Sequence, residues 1–140
     1  MSNTASGACL CGDFSYTFDR DCVVSAHHCH CIDCQKITGS GKATIVMVPT
    51  AALKTHGELQ SFTVTGTDGG HVTRCFCPRC GSQLLSHLEE MSAMRFVKAG
   101  TLQDSSWLKI DSSFWRCTAQ HWSPVDDRYP ACDKNPDLGG

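Results

Sequence analysis

Hydrophobic and polar residues alternate along most of the chain with a period of two, which is typical of strands with one buried face. The clearest case is Phe14, Tyr16 and Phe18, which alternate with Ser15 and Thr17. Further strands are predicted over residues 43–48, 59–64, 72–76, 83–87, 95–98 and 107–110, with glycine-containing turns among them. Helical signal is limited to a turn or two over residues 32–37 and 50–53. The pattern therefore predicts a mainly-β chain of short strands.

The length of the chain indicates one domain. It has 140 residues, of which 41% are hydrophobic, and domains of about 100–150 residues are the commonest. No linker rich in Pro, Gly or Ser divides it. We predict a single domain over residues 1–140, with an ordered core over about residues 5–130 and a loose tail after it.

Charge and hydropathy argue against several classes of partner. No apolar run reaches the ~18 residues of a membrane span, and the N-terminus lacks the basic and apolar segments of a signal peptide. The formal net charge is −2 and no basic run is present, which disfavours nucleic-acid binding. We expect a cytoplasmic protein that binds neither nucleic acid nor a membrane. The sequence does not indicate an oligomeric state.

Cysteine is unusually frequent, with 11 residues in the chain. Cytosolic thiols are kept reduced, and an odd number cannot pair completely within one chain, so metal binding or catalysis is the better explanation. Seven of the cysteines form three clusters: Cys9-x-Cys11, Cys29-x-Cys31-x₂-Cys34 and Cys77-x₂-Cys80.

Two of these clusters suit one structural zinc site. Cys77 and Cys80 belong to a tight knuckle turn in which Pro78 presets one dihedral angle and Gly81 supplies a positive φ. A Cys-x-Cys pair on a strand places both sulfurs on one face. Structural zinc takes four ligands, commonly all cysteine. The predicted ligands are Cys9, Cys11, Cys77 and Cys80, and the alternative is four buried thiols without a metal.

The remaining trio, Cys29, Cys31 and Cys34, suits a catalytic zinc, because three protein ligands leave a fourth position open for water or substrate. A soft thiolate set also suits a thiol substrate. One alternative is a closed structural site completed by a histidine. Of the candidates His27, His28 and His30, His28 is preferred, because His30 on a strand would face away from the sulfurs. Another alternative is a reversible redox pair within the trio.

Four cysteines have no assigned cluster. Cys75 repeats, with Cys77 and Cys80, the spacing of the trio and could replace a member of the first site. The other three are Cys22, Cys117 and Cys132, which are interpreted as core or surface thiols.

The cysteine clusters and the residues around them resemble, in order and spacing, the motifs of the glutathione-dependent formaldehyde-activating enzyme family, also called the GFA or CENP-V family. The motifs are Gly7-x-Cys9-x-Cys11-Gly12, Cys29-His30-Cys31-x₂-Cys34-x-Lys36-x₂-Gly39 and Arg74-x-Phe76-Cys77-x₂-Cys80-Gly81. The spacing of Trp115 and Trp122 also suits the family, and the resemblance covers about residues 5–130.

The resemblance implies an Mss4-like fold of small antiparallel sheets tied by a structural zinc. Cys9, Cys11, Cys77 and Cys80 match the structural zinc ligands. Cys29, Cys31 and Cys34 match a second, labile zinc site where glutathione engages as substrate or co-substrate. The implied activity is that of a carbon–sulfur lyase that condenses formaldehyde with glutathione to S-(hydroxymethyl)glutathione.

One departure from the family concerns the residue after Cys34. The family often has arginine there, whereas this chain has Gln35 and retains Lys36. The change removes one expected contact to a glutathione carboxylate. A different glutathione or thiol adduct is therefore as plausible a substrate as formaldehyde.

For an enzyme, the open zinc position would hold a thiol substrate as thiolate near neutral pH. Lys36 and Arg74 are the candidates for binding its carboxylates, with solvated strand-edge charges as the alternative. His28, His30 and His71 are candidate proton donors or acceptors.

Two other functions stay open from the sequence. The first is a non-catalytic zinc module that binds proteins through exposed aromatic side chains. The candidate side chains are those of Trp107, Phe114, Trp115 and Trp122. For most of them, packing in the core is the favoured interpretation. A thiol redox sensor would cycle Cys29 or Cys31 to a disulfide.

Overall fold

The computed structural model describes residues 3–66 and 69–136. The chain divides into two compact units: one consists of Met1–Val24 and Val46–Trp107, the other of Ser25–Ile45 and Leu108–Gly140. The single domain over residues 1–140 stays a prediction. Among the described residues, no helix is long and apolar enough to cross a membrane.

Strands dominate the described residues, with one short α-helix and several single turns of 3-10 helix. The strands are β1 (Thr4–Ala8), β2 (Ser15–Asp19), β3 (Ser25–Cys29), β4 (Ala43–Pro49), β5 (Lys54–His56), β6 (Gln60–Thr65), β7 (His71–Phe76), β8 (Gln83–Leu88), β9 (Met94–Lys98) and β10 (Ser112–Phe114). The α-helix is α1 (Ile32–Thr38). The 3-10 turns are Arg20–Cys22, Thr50–Ala52, Glu89–Met91, Ala99–Thr101 and Arg116–Thr118.

The first unit contains an antiparallel three-stranded sheet in the order β1-β2-β5. Its alternating strand β2 buries Tyr16 and Phe18, whose rings stack with centroids 6.1 Å apart. Gly7 lies opposite Tyr16, and a Cβ at Gly7 would overlap the Tyr16 hydroxyl. That hydroxyl hydrogen-bonds to Thr101 Oγ1 at 2.8 Å. Burial raises the pKa of Tyr16 to about 12.

The first unit also contains hydrogen-bonded strands in the order β4-β9-β8-β7-β6, to which β4 contributes its C-terminal half. The β9–β8, β8–β7 and β7–β6 pairs are antiparallel. The side chains of Val46, Val48, Leu84 and Val97 are fully buried. This core explains the β-branched run of β4, because a strand covered on both faces needs no polar alternation.

The second unit contains β3, α1, β10 and the N-terminal half of β4, with strands in the order β10-β3-β4. Strands β3 and β10 are parallel, so that Phe114 lies opposite Cys29. The rings of Phe114 and His27 stack with centroids 4.4 Å apart. This pairing places Cys29, the first residue of the cysteine trio, beside a strand that lies more than eighty positions further along the chain.

The predicted mainly-β, Mss4-like fold is confirmed. Six predicted strands correspond to β2, β4, β6, β7, β8 and β9, and the predicted helical turns occur at α1 and at Thr50–Ala52. The strand predicted over residues 107–110 is wrong. Trp107 instead closes a turn by donating from Nε1 to the Asp104 carbonyl at 2.7 Å.

The segment after residue 130 hydrogen-bonds to Trp115. Trp115 donates from its backbone amide to the Lys134 carbonyl at 3.2 Å and from Nε1 to Asn135 Oδ1 at 2.7 Å. Lys134 and Asn135 therefore make defined contacts, and the loose tail stays a prediction. Residues 137–140 lie outside the described residues.

Candidate functional site

The first cysteine cluster joins two turns of the first unit. Cys9 and Cys11 follow β1, and Cys77 and Cys80 lie between β7 and β8. Their four sulfurs lie within 4.8 Å of one another, with Cys9 Sγ 3.6 Å and Cys77 Sγ 3.7 Å from Cys11 Sγ. Sulfurs bound tetrahedrally to zinc at ~2.3 Å are roughly 3.8 Å apart. The donor set and its spacing therefore fit a closed zinc site.

Two glycines shape these turns. Gly81 has a φ of 77° and donates its amide to the Cys77 carbonyl at 2.9 Å, as the knuckle motif predicts. Gly12 has a φ of 84° and donates to the Cys9 carbonyl at 3.1 Å. The expectation that Cys9 and Cys11 share one face of a strand is therefore wrong, because the chain turns at Cys9.

Hydrogen bonds and burial shift the pKa values of these thiols in different directions. The Phe14 amide donates to Cys9 Sγ at 3.3 Å and lowers the pKa of Cys9. The Ser82 hydroxyl lies 3.2 Å from Cys80 Sγ and, with backbone amides, lowers the pKa of Cys80 to about 5. The Asp13 amide lowers the pKa of Cys11, but burial and the neighbouring sulfurs outweigh it and raise the pKa to about 12. Four thiolates in this space require a cation, as zinc would provide.

Cys75 lies outside this group of mutually close sulfurs. It is half-buried on β7 opposite Leu85, and the β7–β8 register shifts between Cys75 and Phe76. Burial raises the pKa of its thiol. The repeated spacing of Cys75, Cys77 and Cys80 therefore does not bring a fifth sulfur to the first cluster.

The second cluster belongs to the second unit. Cys29 ends β3, Cys31 is the N-cap of α1, and Cys34 lies in the first turn of that helix. The three sulfurs lie within 4.8 Å of one another, and the Cys34 amide donates to Cys31 Sγ at 3.2 Å. Cys29 and Cys34 are buried, whereas Cys31 is partly exposed. A ligand would therefore reach the trio from the side of Cys31.

Crowding and burial raise the pKa values of two thiols of the trio, Cys29 and Cys31. Hydrogen bonding to Cys31 and Cys34, together with burial, raises the pKa of Cys29 far above its ordinary value. The hydrogen bond to Cys29 lowers the pKa of Cys31, but the hydrogen bond to Cys34 and burial outweigh it, so the pKa of Cys31 is raised. Three sulfurs this close can bind a soft cation together as thiolates, and this donor set fits zinc with one position for a further ligand.

No histidine nitrogen of the described residues joins the trio within that distance. His27 hydrogen-bonds to Ser112 and Ser25, each at 2.7 Å. His28 hydrogen-bonds through Nδ1 to Thr44 Oγ1 at 2.8 Å, and burial lowers its pKa to about 4. His30 is fully buried, and burial lowers its pKa. Among the described residues the trio is therefore a three-sulfur site.

Side chains of α1 and of one distant segment fix the backbone of the trio. Gln35 Nε2 donates to the His30 carbonyl at 2.9 Å and to the Thr118 carbonyl at 3.0 Å. The Thr118 hydroxyl donates to the same His30 carbonyl at 2.8 Å. Gln120 Nε2 donates to Gln35 Oε1 at 3.2 Å. Sequence reasoning noted Gln35 only as a departure from the family, and no sequence signal pointed to Thr118.

The candidates for binding carboxylates lie in different units. Lys36 is exposed on α1, two positions after Cys34. Arg74 lies in the first unit on β7, between β6 and β8, and is only 7% exposed. The alternative of a solvated strand-edge charge is therefore wrong for Arg74.

His71, the third candidate for proton transfer, lies in the first unit near two glutamates. Its Nδ1 lies 2.7 Å from Glu90 Oε1 and 3.8 Å from Glu89 Oε2, and all three side chains are exposed. The hydrogen bond to Glu90 raises the pKa of His71. Its position suits a surface ion pair.

The aromatic residues do not form a common exposed patch. Phe114 is buried, and Trp107 and Trp115 are half-buried, whereas Trp122 is 59% exposed. Trp107 packs edge-on against Phe18 in the first unit, with ring centroids 6.3 Å apart. Of these four side chains, only Phe114 belongs to the buried core.

Comparison with known proteins supports one family. The sequence profile of the family described as "Glutathione-dependent formaldehyde-activating enzyme" matches residues 4–118. A similar solved structure is the crystal structure of a Rhodobacter sphaeroides protein determined as a structural genomics target. It has 17% sequence identity and a TM-score of 0.57, and the alignment covers 91% of this chain and 99% of that chain. At this identity the likeness concerns the fold. No curated protein sequence matches the chain.

Proposed function

The chain belongs to the glutathione-dependent formaldehyde-activating enzyme family, and we propose that it is a zinc-dependent carbon–sulfur lyase acting on adducts of glutathione or a related thiol. The observation that carries the proposal is the trio of Cys29, Cys31 and Cys34, whose close sulfurs are accessible through Cys31. The reaction would resemble S-(hydroxymethyl)glutathione synthesis, in which the sulfur of glutathione bonds to the aldehyde carbon and the aldehyde oxygen takes a proton.

The two clusters have different roles in this proposal. Cys9, Cys11, Cys77 and Cys80 would hold a structural zinc, because four ligands leave no position for substrate. Cys29, Cys31 and Cys34 would hold a second, more labile zinc. When bound, that zinc would keep a thiol ligand deprotonated near neutral pH.

The residues of the chain would position the substrate. Gln35 and Thr118 donate to the His30 carbonyl between Cys29 and Cys31, and these bonds would preorganise the trio. Lys36 projects from the exposed side of α1 and would bind a substrate carboxylate through a charge-assisted hydrogen bond. The same role for Arg74, which is buried in the first unit, stays a prediction from the sequence.

Magnetization-transfer NMR tests the proposal by measuring the rate at which formaldehyde exchanges between its hydrate and S-(hydroxymethyl)glutathione. We expect the wild-type protein to accelerate exchange at least about tenfold over the spontaneous rate. Cys31→Ser should lose the acceleration, whereas Cys117→Ser, which changes an exposed thiol of the same unit, should retain it. Circular dichroism shows whether each variant is folded. Equal acceleration by folded Cys31→Ser would contradict the proposal.

A further inference from the structure

Strand β6 has an open outer edge. It is last in the strand order of the first unit, and no other described strand pairs with that edge. Every residue of β6 is exposed except the half-buried Val64, and Phe62 is 61% exposed. The strand contains no charged residue and no proline. Proteins commonly protect edge strands with such residues or with bulges, so this edge is open to pairing.

The β6–β7 register shows which backbone groups point outward. Hydrogen-bonded and non-hydrogen-bonded residue pairs alternate in an antiparallel ladder. The Gly66 amide donates to the Gly70 carbonyl at 2.6 Å, one position beyond the Thr65–His71 pair. Hydrogen-bonded pairs recur at every second residue, so the backbone groups of residues 64, 62 and 60 also hydrogen-bond to β7. The N–H and C=O groups of residues 61, 63 and 65 therefore point to the open edge.

A side-chain contact supports this assignment. The hydroxyls of Thr63 and Thr73 lie 2.7 Å apart across the ladder. Side chains approach more closely in non-hydrogen-bonded pairs, which is the pair type assigned to these two residues. Along β6, hydroxyl side chains alternate with Phe62 and Val64, so the strand has a hydroxyl face and an apolar face.

We propose that β6 pairs antiparallel with β6 of a second copy of this chain, about a two-fold axis at Thr63. In this register Thr63 faces Thr63, and Ser61 faces Thr65 of the second copy. All three residues with outward-facing backbone groups are then paired. Phe62 faces Val64 of the second copy in a non-hydrogen-bonded pair, where aromatic and β-branched side chains pack favourably.

The strand itself favours a second copy over another occupant. A shift of the register by two residues leaves either Ser61 or Thr65 without a β6 partner, so a single register matches the strand completely. Hydroxyl side chains then share one face and apolar side chains the other. No charged side chain of β6 meets a like charge, because the strand has none. One strand pair is a small interface, so the dimer is weak and depends on concentration.

The test is sedimentation equilibrium of the zinc-loaded full chain over about three decades of concentration. Three substitutions of Thr63 separate the effects of its backbone N–H, of charge at the two-fold axis and of side-chain shape. Thr63→Pro removes an outward N–H without removing a bond to β7, and Thr63→Lys places like charges at the axis. Thr63→Val keeps the N–H and the β-branched shape and is the control. We expect the first two to raise the dimer dissociation constant at least about tenfold and the control to leave it within about twofold.

Amide hydrogen exchange locates the interface. Exchange at Ser61, Thr63 and Thr65 should slow as the protein concentration rises, whereas exchange at Lys54 and Thr55 of the edge strand β5 should not change. If Thr63→Pro fails to fold, Thr63→Lys carries the test. A monomer at every concentration, or a dimer that Thr63→Lys does not weaken, would overturn the proposal. Loss of the dimer in Thr63→Val alone would also overturn it.

Discussion

The hydroxyl of Thr118 donates a hydrogen bond of 2.8 Å to the backbone carbonyl of His30, although the two residues are 88 positions apart. His30 lies between Cys29 and Cys31, so this bond fixes the backbone from which two sulfurs of the trio project. Gln35 reinforces it by donating to the carbonyls of both His30 and Thr118. The geometry of the trio thus depends on a segment that contributes no sulfur to it.

Removal of the Thr118 hydroxyl should weaken metal binding at the trio. Thr118→Val keeps the side-chain shape but leaves the His30 carbonyl with one donor fewer. Partners that orient metal ligands typically contribute tenfold to a hundredfold to affinity, so we expect zinc affinity of the trio to fall about tenfold. Competition with a chromogenic chelator measures this. Thr118→Ser, which keeps the hydroxyl, should bind like the wild type, and equal weakening in both variants would contradict this role.

The two cysteine clusters should respond differently to the loss of one sulfur. Protein purified without chelator should contain one zinc per cluster, and a mild chelator should remove the zinc of the trio first. Cys31→Ser should retain the other zinc and the fold. Cys77→Ser should lose its tightly bound zinc and much of its stability, because structural metal binding and folding are coupled. Metal analysis with circular dichroism measures both effects, and a Cys77→Ser variant with unchanged stability would contradict the structural role.

The knuckle turn should not tolerate a side chain at Gly81. Its φ of 77° lies in the left-handed region, yet a Cβ there would meet no atom within 4 Å. Gly81→Ala therefore isolates backbone strain and should lower the free energy of unfolding by about 1–2 kcal/mol. Gly100→Ala is the matched control, because that position is equally open and needs no positive φ. Chemical denaturation measures both, and an unchanged stability of Gly81→Ala would contradict the turn geometry.

The ion pair of His71 and Glu90 should stabilise the first unit in a defined pH window. The hydrogen bond to Glu90 raises the pKa of His71 above 6.5, so its contribution is complete below about pH 6.5 and is lost as pH rises through the raised value. The bonds from His71 lower the pKa of Glu90 below 4.5, so its contribution is lost as pH falls through the lowered value. Both contributions are present between about pH 4.5 and 6.5.

His71→Gln tests this window. The difference in the free energy of unfolding between variant and wild type should be largest near pH 5.5 and should shrink toward pH 9. NMR titration of the His71 ring should give a pKa above 6.5. A difference that does not change with pH would contradict the pair.

The sequence predicted strands whose residues alternate between apolar and polar or form a β-branched run. Strand β2 was found from its alternation, and β4 from its β-branched run. Strand β3 was missed because two adjacent residues, Ala26 and His27, are both buried, which hides the period of two. Strand β5 was missed because all of its residues are exposed, so its pairing with β2 gives no hydrophobic signal.

The cysteine groups were predictable because ligand spacing is local, whereas their surroundings were not. The sulfurs of Cys9, Cys11, Cys77 and Cys80 meet as the motifs predicted. The turn at Cys9 depends on the amide of Gly12, and the support of His30 comes from Thr118. These contacts join polar side chains and backbone groups that no spacing rule identifies, and they appear only when the strands are assembled.

The central claim is that the trio binds the sulfur of glutathione. Cobalt(II) substituted for zinc at the trio reports its ligands through sulfur-to-metal charge-transfer absorption, and titration with glutathione is the direct measurement. The account predicts that glutathione increases this absorption, that S-methylglutathione does not, and that Cys31→Ser loses the response. An unchanged spectrum with glutathione, or an equal response to S-methylglutathione, would contradict it.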